Sequence, residues 1–437
     1  MPEISIKSCS SYNELGDNFF GSTFLGRFQL KPGSSILIKP NWVLHENLGG
    51  YGTESLVTHP LFILAVLKEV FKSRPSKVVI GDAPLQSCDF NAVVSHSLRD
   101  QIHDMATCPV EIIDFRRTVM NDEGLAAGQH TDIRERGRYI LFDFGVESLL
   151  EEVSSPSNRF RITCYDPDIL AKHHGVGRHR YLLCKEPFEA DVIINLPKLK
   201  THKKSGITAA LKNIVGINGN KEYLPHHRFG GSRNGGDCYN GFVPLKLFAE
   251  YCLDKANRYI GTSDYRRWKS LSERLLEVQK HFGNAEVEGA WFGNDTVWRM
   301  TLDLNRLLLY GRMDGSISDM IQRKVYTITD AIVAGEGEGP LAPEPNHLGL
   351  VTVADNSACA DFLHTALMGF DFRRIPLVRE AFKAFRYPIA SCNPSECRVR
   401  YNSLTYTVEA ISRLLGKPFK PSFGWLGHIE SDTKDQS

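Results

Sequence analysis

The chain has 437 residues, with 52 Lys+Arg against 51 Asp+Glu, a net charge of +1, and 42% hydrophobic and 24% charged residues. That balance excludes a disordered, collagen-like or low-complexity chain and speaks against a globally basic nucleic-acid binder. No run of about 18 apolar residues marks a membrane span. The N-terminus lacks the basic start and apolar core of a secretory signal. The ten cysteines are scattered without a CxxC pair, so spacing alone encodes neither a zinc ribbon nor a ferredoxin-type cluster. They read as reduced thiols of a cytoplasmic protein.

Along the chain, a strand is predicted over 35–39, ended by Pro40, and then a helix over 59–71 with apolar residues at 62, 63, 66, 67 and 70. Further strands are expected over 77–82, 110–114 and 191–195. Short apolar strands separated by helices imply parallel βαβ units with helices on both faces. Residues 245–323 change character and read as helical, with helices over 245–257, 265–281 and 296–309. Strands follow over 325–334 and 348–354, then a helix capped by Asn356 and running to Met368, then a polar tail after Ile429. The expected class is α/β. Two α/β lobes with mostly parallel sheets, residues 1–244 and 324–437, flank the helical segment 245–323, and a ligand cleft lies between them.

The most informative stretch runs from Val192 to Lys221, which holds six lysines and no carboxylate. A strand ends near Asn195 and a helix is predicted to begin near Ser205. Its core face would be Ile207, Leu211 and Ile214, with Thr208 and Lys212 sharing a flanking face. Free N–H groups at that helix start, beside Lys198, Lys200, His202 and Lys203, would make an anion site. Open α/β sheets place ligands at the carboxyl ends of their strands, where this loop falls. Lys39 and Asn41 follow the first long strand, and Asp82 ends the next, so they would line the same cleft. Lys212, amid Ala209, Ala210 and Leu211, would be desolvated enough to act as a base or attachment point.

Six of the 15 histidines (173, 174, 179, 202, 226 and 227) fall within 55 residues, where even spreading would put about two. His202, His226 and His227 are the candidate ligands for a divalent metal, the cofactor itself being left open. Arg228 then leads into a loop with Gly230, Gly231, Gly235 and Gly236 that would close over a ligand. Residues 335–340 are glycine-rich but lack the GxGxxG spacing. There, Asp330, Glu336 and Glu338 would supply oxygen ligands to a hard cation.

Several stretches resemble the DUF362 family: IKPNWV (38–43), VVIGDAP (78–84), the block 190–228, WFGNDTVWRMTLDLNR (291–306), TDAIVAGEGEGP (329–340) and the run 351–370. Many relatives carry a ferredoxin-like iron–sulfur segment. This chain has no matching cysteine set, so no [4Fe-4S] cluster is expected. More distantly, the block from His202 through Lys212 to His226-His227 is similar to the nickel-pincer lactate racemase family. That resemblance implies a histidine, a lysine ten residues on and a later histidine framing the cofactor, with the lysine bonded to it.

The leading expectation is an enzyme acting on a small anionic metabolite, a carboxylate or a phosphate. Lys39, Asn41, Asp82, Lys198, Lys200, Thr208 and Arg228 would bind the substrate. His202, Lys212 and His227 would carry proton transfer, as in racemisation or isomerisation. The first alternative is a redox or metal-handling protein using histidines with Cys238 as soft ligands. The second is a non-catalytic binder of an anionic polymer through the lysine loop, with nucleic acid disfavoured for want of an accompanying motif.

Overall fold

The computed structural model describes residues 3–17, 19–21, 28, 30–120 and 130–431. Most of the polar tail after Ile429 therefore lies outside the described residues. Among the described residues, twelve strands form one mixed sheet. They are β1 (Glu3–Ser8), β2 (Ser35–Pro40), β3 (Lys77–Asp82), β4 (Val110–Asp114), β5 (Val192–Leu196), β6 (Lys198–His202), β7 (Gly206–Thr208), β8 (Lys324–Glu338), β9 (Ala342–Asn346), β10 (Leu350–Ala354), β11 (Arg398–Tyr401) and β12 (Leu404–Tyr406). The order across the sheet is β12-β11-β1-β10-β8-β5-β2-β3-β4, with β6 and β9 added along β8 and β7 paired to β6.

The class is α/β, as expected, and the parts on either side of the helical segment meet in this sheet. β5 pairs parallel with β2 on one side and with β8 on the other. Strands β2, β3 and β5 are buried nearly throughout. That is why they read as continuous apolar runs and not as alternating ones. Helix α1 (Pro60–Lys72) packs beneath them. It starts where predicted, because Pro60 takes the first helical position and the His59 side chain accepts the Leu61 N–H as N-cap.

The helical segment contains α2 (Pro244–Arg258), α3 (Ser263–Lys280) and α4 (Val297–Tyr310), close to the expected bounds. α2 and α3 pack on each other. α4 is buried on nearly all sides, joins the core between sheet and helices, and sends Asn305 Nδ2 to the Leu211 carbonyl at 2.9 Å. No helix among the described residues is long and apolar enough to cross a membrane.

The local prediction for 198–208 is corrected. Where a loop and then a helix from Ser205 were expected, the chain forms β6, turns at Gly206 in the left-handed region (φ +82°), and returns as β7. The helix that follows, Ala210–Asn213, is one turn long. Lysines on β6 look solvated on the page but are not. Lys198 is wholly buried and ion-paired to Asp330 at 2.6 Å, and buried Lys200 donates to the Leu56 carbonyl. Charge pairing thus permits a strand where composition suggests an exposed loop.

Candidate functional site

A cavity of about 430 Å³ opens at the carboxyl ends of β2, β3 and β5, the place where open α/β sheets hold ligands. Of the predicted residues, Asn41, Asp82, Lys200, His202, Thr208, Lys212 and His226 line it. Lys204, Asn213, Gly216, Lys221 and Glu288 join them.

The floor is a fixed polar lattice. Lys39 is fully buried behind the wall and ion-pairs Asp82 Oδ1 at 2.7 Å. Asp82 Oδ2 accepts the Trp42 N–H at 2.6 Å, and Oδ1 accepts the Ala83 N–H at 2.8 Å. Asn213 ties the ends of β2 and β5 together. Its Oδ1 accepts from Asn41 Nδ2 at 3.0 Å and its Nδ2 donates to Asn195 Oδ1 at 2.7 Å. Lys221 donates to the Ala83 carbonyl at 2.8 Å. Asp82 is therefore a structural counter-charge, and only its rim faces the cavity.

Two buried oxygens on the wall, Asn41 Oδ1 and Thr208 Oγ1, have no hydrogen-bond partner among the described residues. Orphaned buried polar atoms are uncommon and mark places where a further group binds. Lys212 is partly buried, and its ammonium has no hydrogen bond or ion pair among the described residues. Burial is the main cause lowering its pKa to about 7, and the neighbouring charges of Lys221, Lys204 and Lys39 push the same way. Lys221 is lowered to about 8, mainly by burial, despite Asp82. Lys200 is held well below the usual lysine value, by burial first and by Lys198 second. Desolvation and like charges disfavour the ammonium form, so the cavity holds more cationic groups than its own carboxylates neutralise.

The two cavity histidines are held neutral but differ in tautomer. His202 Nδ1 accepts the N–H groups of Lys204 (3.0 Å) and Ser205 (3.3 Å), which leaves Nε2 as the donor. His226 Nδ1 lies 2.8 Å from the Leu224 carbonyl, so Nδ1 donates and Nε2 keeps its lone pair. Burial, reinforced by nearby lysines, keeps both rings well below the usual histidine pKa.

Other expectations relocate. The N–H groups of Ala210 and Leu211, expected to greet a substrate anion, are taken by Asp361, whose two carboxylate oxygens accept them at 2.7 and 2.9 Å. The anion at that helix start is the protein's own. Lys198 serves β8 through Asp330 and does not line the cavity. Arg228 is paired with Asp237 (3.4 Å), away from the cavity. His226 and His227 point to opposite sides, as neighbours on an extended segment do. His227 faces Cys238 and Glu250, the donor atoms of these three lying within 4.8 Å of one another. His202 and His226 share the cavity without it. His174 and His179 lie together in a separate buried cluster, their rings tilted by 43°, with His174 Nε2 bonded to the Tyr223 carbonyl at 2.8 Å. Asp330 is taken up by Lys198, Glu336 holds Asn346, and Glu338 accepts the Phe423 N–H, so these three serve the framework.

Sequence reasoning passed over Gly216, Lys221 and Asn213. Gly216 is tightly constrained: a Cβ there would sit 1.9 Å from Asp82 Oδ1 and 2.6 Å from Lys39 Nζ. Gly216→Ala is expected to destabilise the fold by about 1–3 kcal/mol through overpacking, measured by urea denaturation at neutral pH. An unchanged midpoint would show that the ion pair is soft enough to move.

A family model described as a domain of unknown function, DUF362, matches residues 138–365. A thylakoid-associated protein of Synechocystis sp. is 22% identical over 355 residues, covering 80% of this chain and 68% of that protein. A crystal structure of a Thermotoga maritima protein is 10% identical with a TM-score of 0.31, and the match covers 78% of this chain and 57% of that one.

Proposed function

Because the chain belongs to the DUF362 family, a domain of unknown function, its chemistry has to be read from its own cavity, and we propose an enzyme that moves a proton on a small carboxylate or phosphate. One observation carries this reading. Lys212, a cation without a partner among the described residues, faces a cavity already crowded with Lys200, Lys204 and Lys221 and edged by two unpartnered oxygens. An anion relieves the mutual repulsion of these ammonium groups. Thr208 Oγ1 offers it a hydroxyl donor, and Asn41 Oδ1 can accept from a substrate hydroxyl. His202 Nε2–H adds a second fixed donor.

The acid–base pair is then Lys212 and His226. A lysine with a pKa near neutrality keeps a useful fraction of free amine while remaining a strong enough base. His226 Nε2 presents the second lone pair. Together they suit removal and return of a proton beside a carboxylate, as in racemisation or isomerisation. A covalent group on Lys212, as the racemase resemblance implies, would appear as excess intact mass mapping to that residue.

Anion binding is expected to be coupled to proton uptake. A bound anion raises the pKa of Lys212 above about 7, so the complex holds more protons than the free protein. Affinity is then level below that pH and falls as pH rises through it. Calorimetric titration with inorganic phosphate or a 2-hydroxycarboxylate, in two buffers of different ionisation enthalpy, checks this. Heats independent of buffer, with affinity flat from about pH 6 to 9, would remove Lys212 from the binding step.

A second reading, metal handling, is favoured by the His227–Cys238–Glu250 group, where His227 Nδ1 is buried without a hydrogen-bond partner among the described residues. A bound metal lost on His227→Ala would favour it.

A further inference from the structure

A second donor cluster lies far from this cavity in the sequence and serves none of the steps above. Cys359, Cys392 and Cys397 bring their sulfurs within 4.8 Å of one another, with Cys359 and Cys392 at 3.6 Å. None of the three is in a disulfide. We propose that these three thiols form a binding site for one zinc(II) ion.

The geometry fits the ion. Zn–S bonds of about 2.3 Å in a tetrahedron put the sulfurs about 3.8 Å apart, and the cluster already stands at that scale. Soft thiolate ligands select zinc over the hard cations. Each cysteine is held by a different local device. Cys359 lies in the first turn of α5 (Ser357–Leu367), where the Asn356 side chain accepts the N–H groups of Ala358 (2.9 Å) and Cys359 (3.1 Å). The same Asn356 sends Nδ2 to the Ile389 carbonyl at 2.8 Å, so a single residue joins the helix start to the loop bearing Cys392. Cys397 closes the 3-10 turn Pro394–Glu396 through its N–H to Pro394 at 3.1 Å.

Charge is also provided for. The start of α5 places partial positive charge near Cys359, and Arg398 follows Cys397 in the chain. Cys359 and Cys397 are buried, whereas Cys392 is partly exposed. The ion therefore has a way in, and the fourth position opens on the Cys392 side, for water or a further ligand. Binding converts three thiols to thiolates and releases their three protons to solvent.

The test uses the full chain, reduced, stripped of metal with chelator and titrated anaerobically with cobalt(II). A thiolate-to-cobalt charge-transfer band saturating at one equivalent, displaced by zinc(II) and accompanied by proton release, is expected. Cys392→Ser, at the partly exposed position, keeps the fold by circular dichroism and weakens binding by at least the roughly tenfold that even outer-shell changes cost. His227→Ala leaves the band in place. No charge-transfer band, or a band that survives Cys392→Ser and is lost in His227→Ala, overturns the assignment. The anion-binding reading stands or falls separately, on calorimetry with phosphate.

Discussion

Lys212→Met is expected to weaken binding of a small anion by about 3 kcal/mol, or roughly 100-fold in Kd, while leaving the fold intact. Methionine keeps the length and apolar stem of lysine but removes the charge. The loss is large because the anion would lie beside buried Lys200 and Lys221, where one missing cation is less screened than at the surface. The thermal midpoint is expected to hold or rise, since the native ammonium is disfavoured by burial and by its cationic neighbours. This opposition of signs, weaker binding with no loss of stability, separates a site residue from a structural one. Calorimetric titration with phosphate and with small carboxylates, paired with a thermal melt, reads both. Equal affinity in the variant would end the proposal that Lys212 meets the ligand.

Asp330→Ala is expected to cost about 3–5 kcal/mol of stability, seen as a lower urea midpoint at neutral pH. Asp330 is wholly buried in the middle of β8 and meets Lys198, Tyr12 and the His59 backbone. Its carboxylate pairs Lys198 at 2.6 Å, accepts the Tyr12 hydroxyl at 3.0 Å and accepts the His59 N–H at 3.1 Å, while Lys198 also donates to Tyr12 at 2.8 Å. Removing the carboxylate leaves a buried ammonium uncompensated, and it frees both the start of α1 and the N-terminal segment that carries Tyr12. Asp330→Asn keeps two of the acceptor contacts and is expected to cost less. If both variants lost nothing, the ion pair would have to be replaceable by water, against its zero exposure.

These two residues also show what the sequence discloses. Lys212 stands out on the page because six lysines without a carboxylate, in an otherwise balanced chain, form a local asymmetry that survives folding as a cationic cavity. Strands β2, β3 and β5 are equally legible, since burial on both faces leaves only short apolar runs. β6 is not legible. Its lysines are buried by partners as remote as Leu56 and Asp330, and no local pattern announces a counter-charge more than a hundred residues away. The same limit hides the Asp361 carboxylate under Ala210 and Leu211, about 150 residues apart in the chain. The separation of His226 from His227 was readable in principle, because adjacent residues on extended chain face opposite ways. The thiol cluster was half readable. Cys392 and Cys397 are near neighbours in sequence, but Cys359 reaches them only through the fold.

The position of β1 bears on how the molecule is made. Residues 3–8 pair antiparallel with β10 and parallel with β11, so β1 is flanked on both sides by strands more than 340 residues further along the chain. On the ribosome β1 has no partner until β10 has emerged, and β2, β3 and β4 are available to pair while it waits. Pairings this distant are slow to close, and an unpaired strand edge is prone to associate with other chains during the delay. Translation that stops before β10 therefore leaves the nascent sheet open at its centre as well as at its rim, because β8 too has lost its neighbour. Emergence of β10 and β11, more than any step within the N-terminal half, is what lets this sheet close around β1.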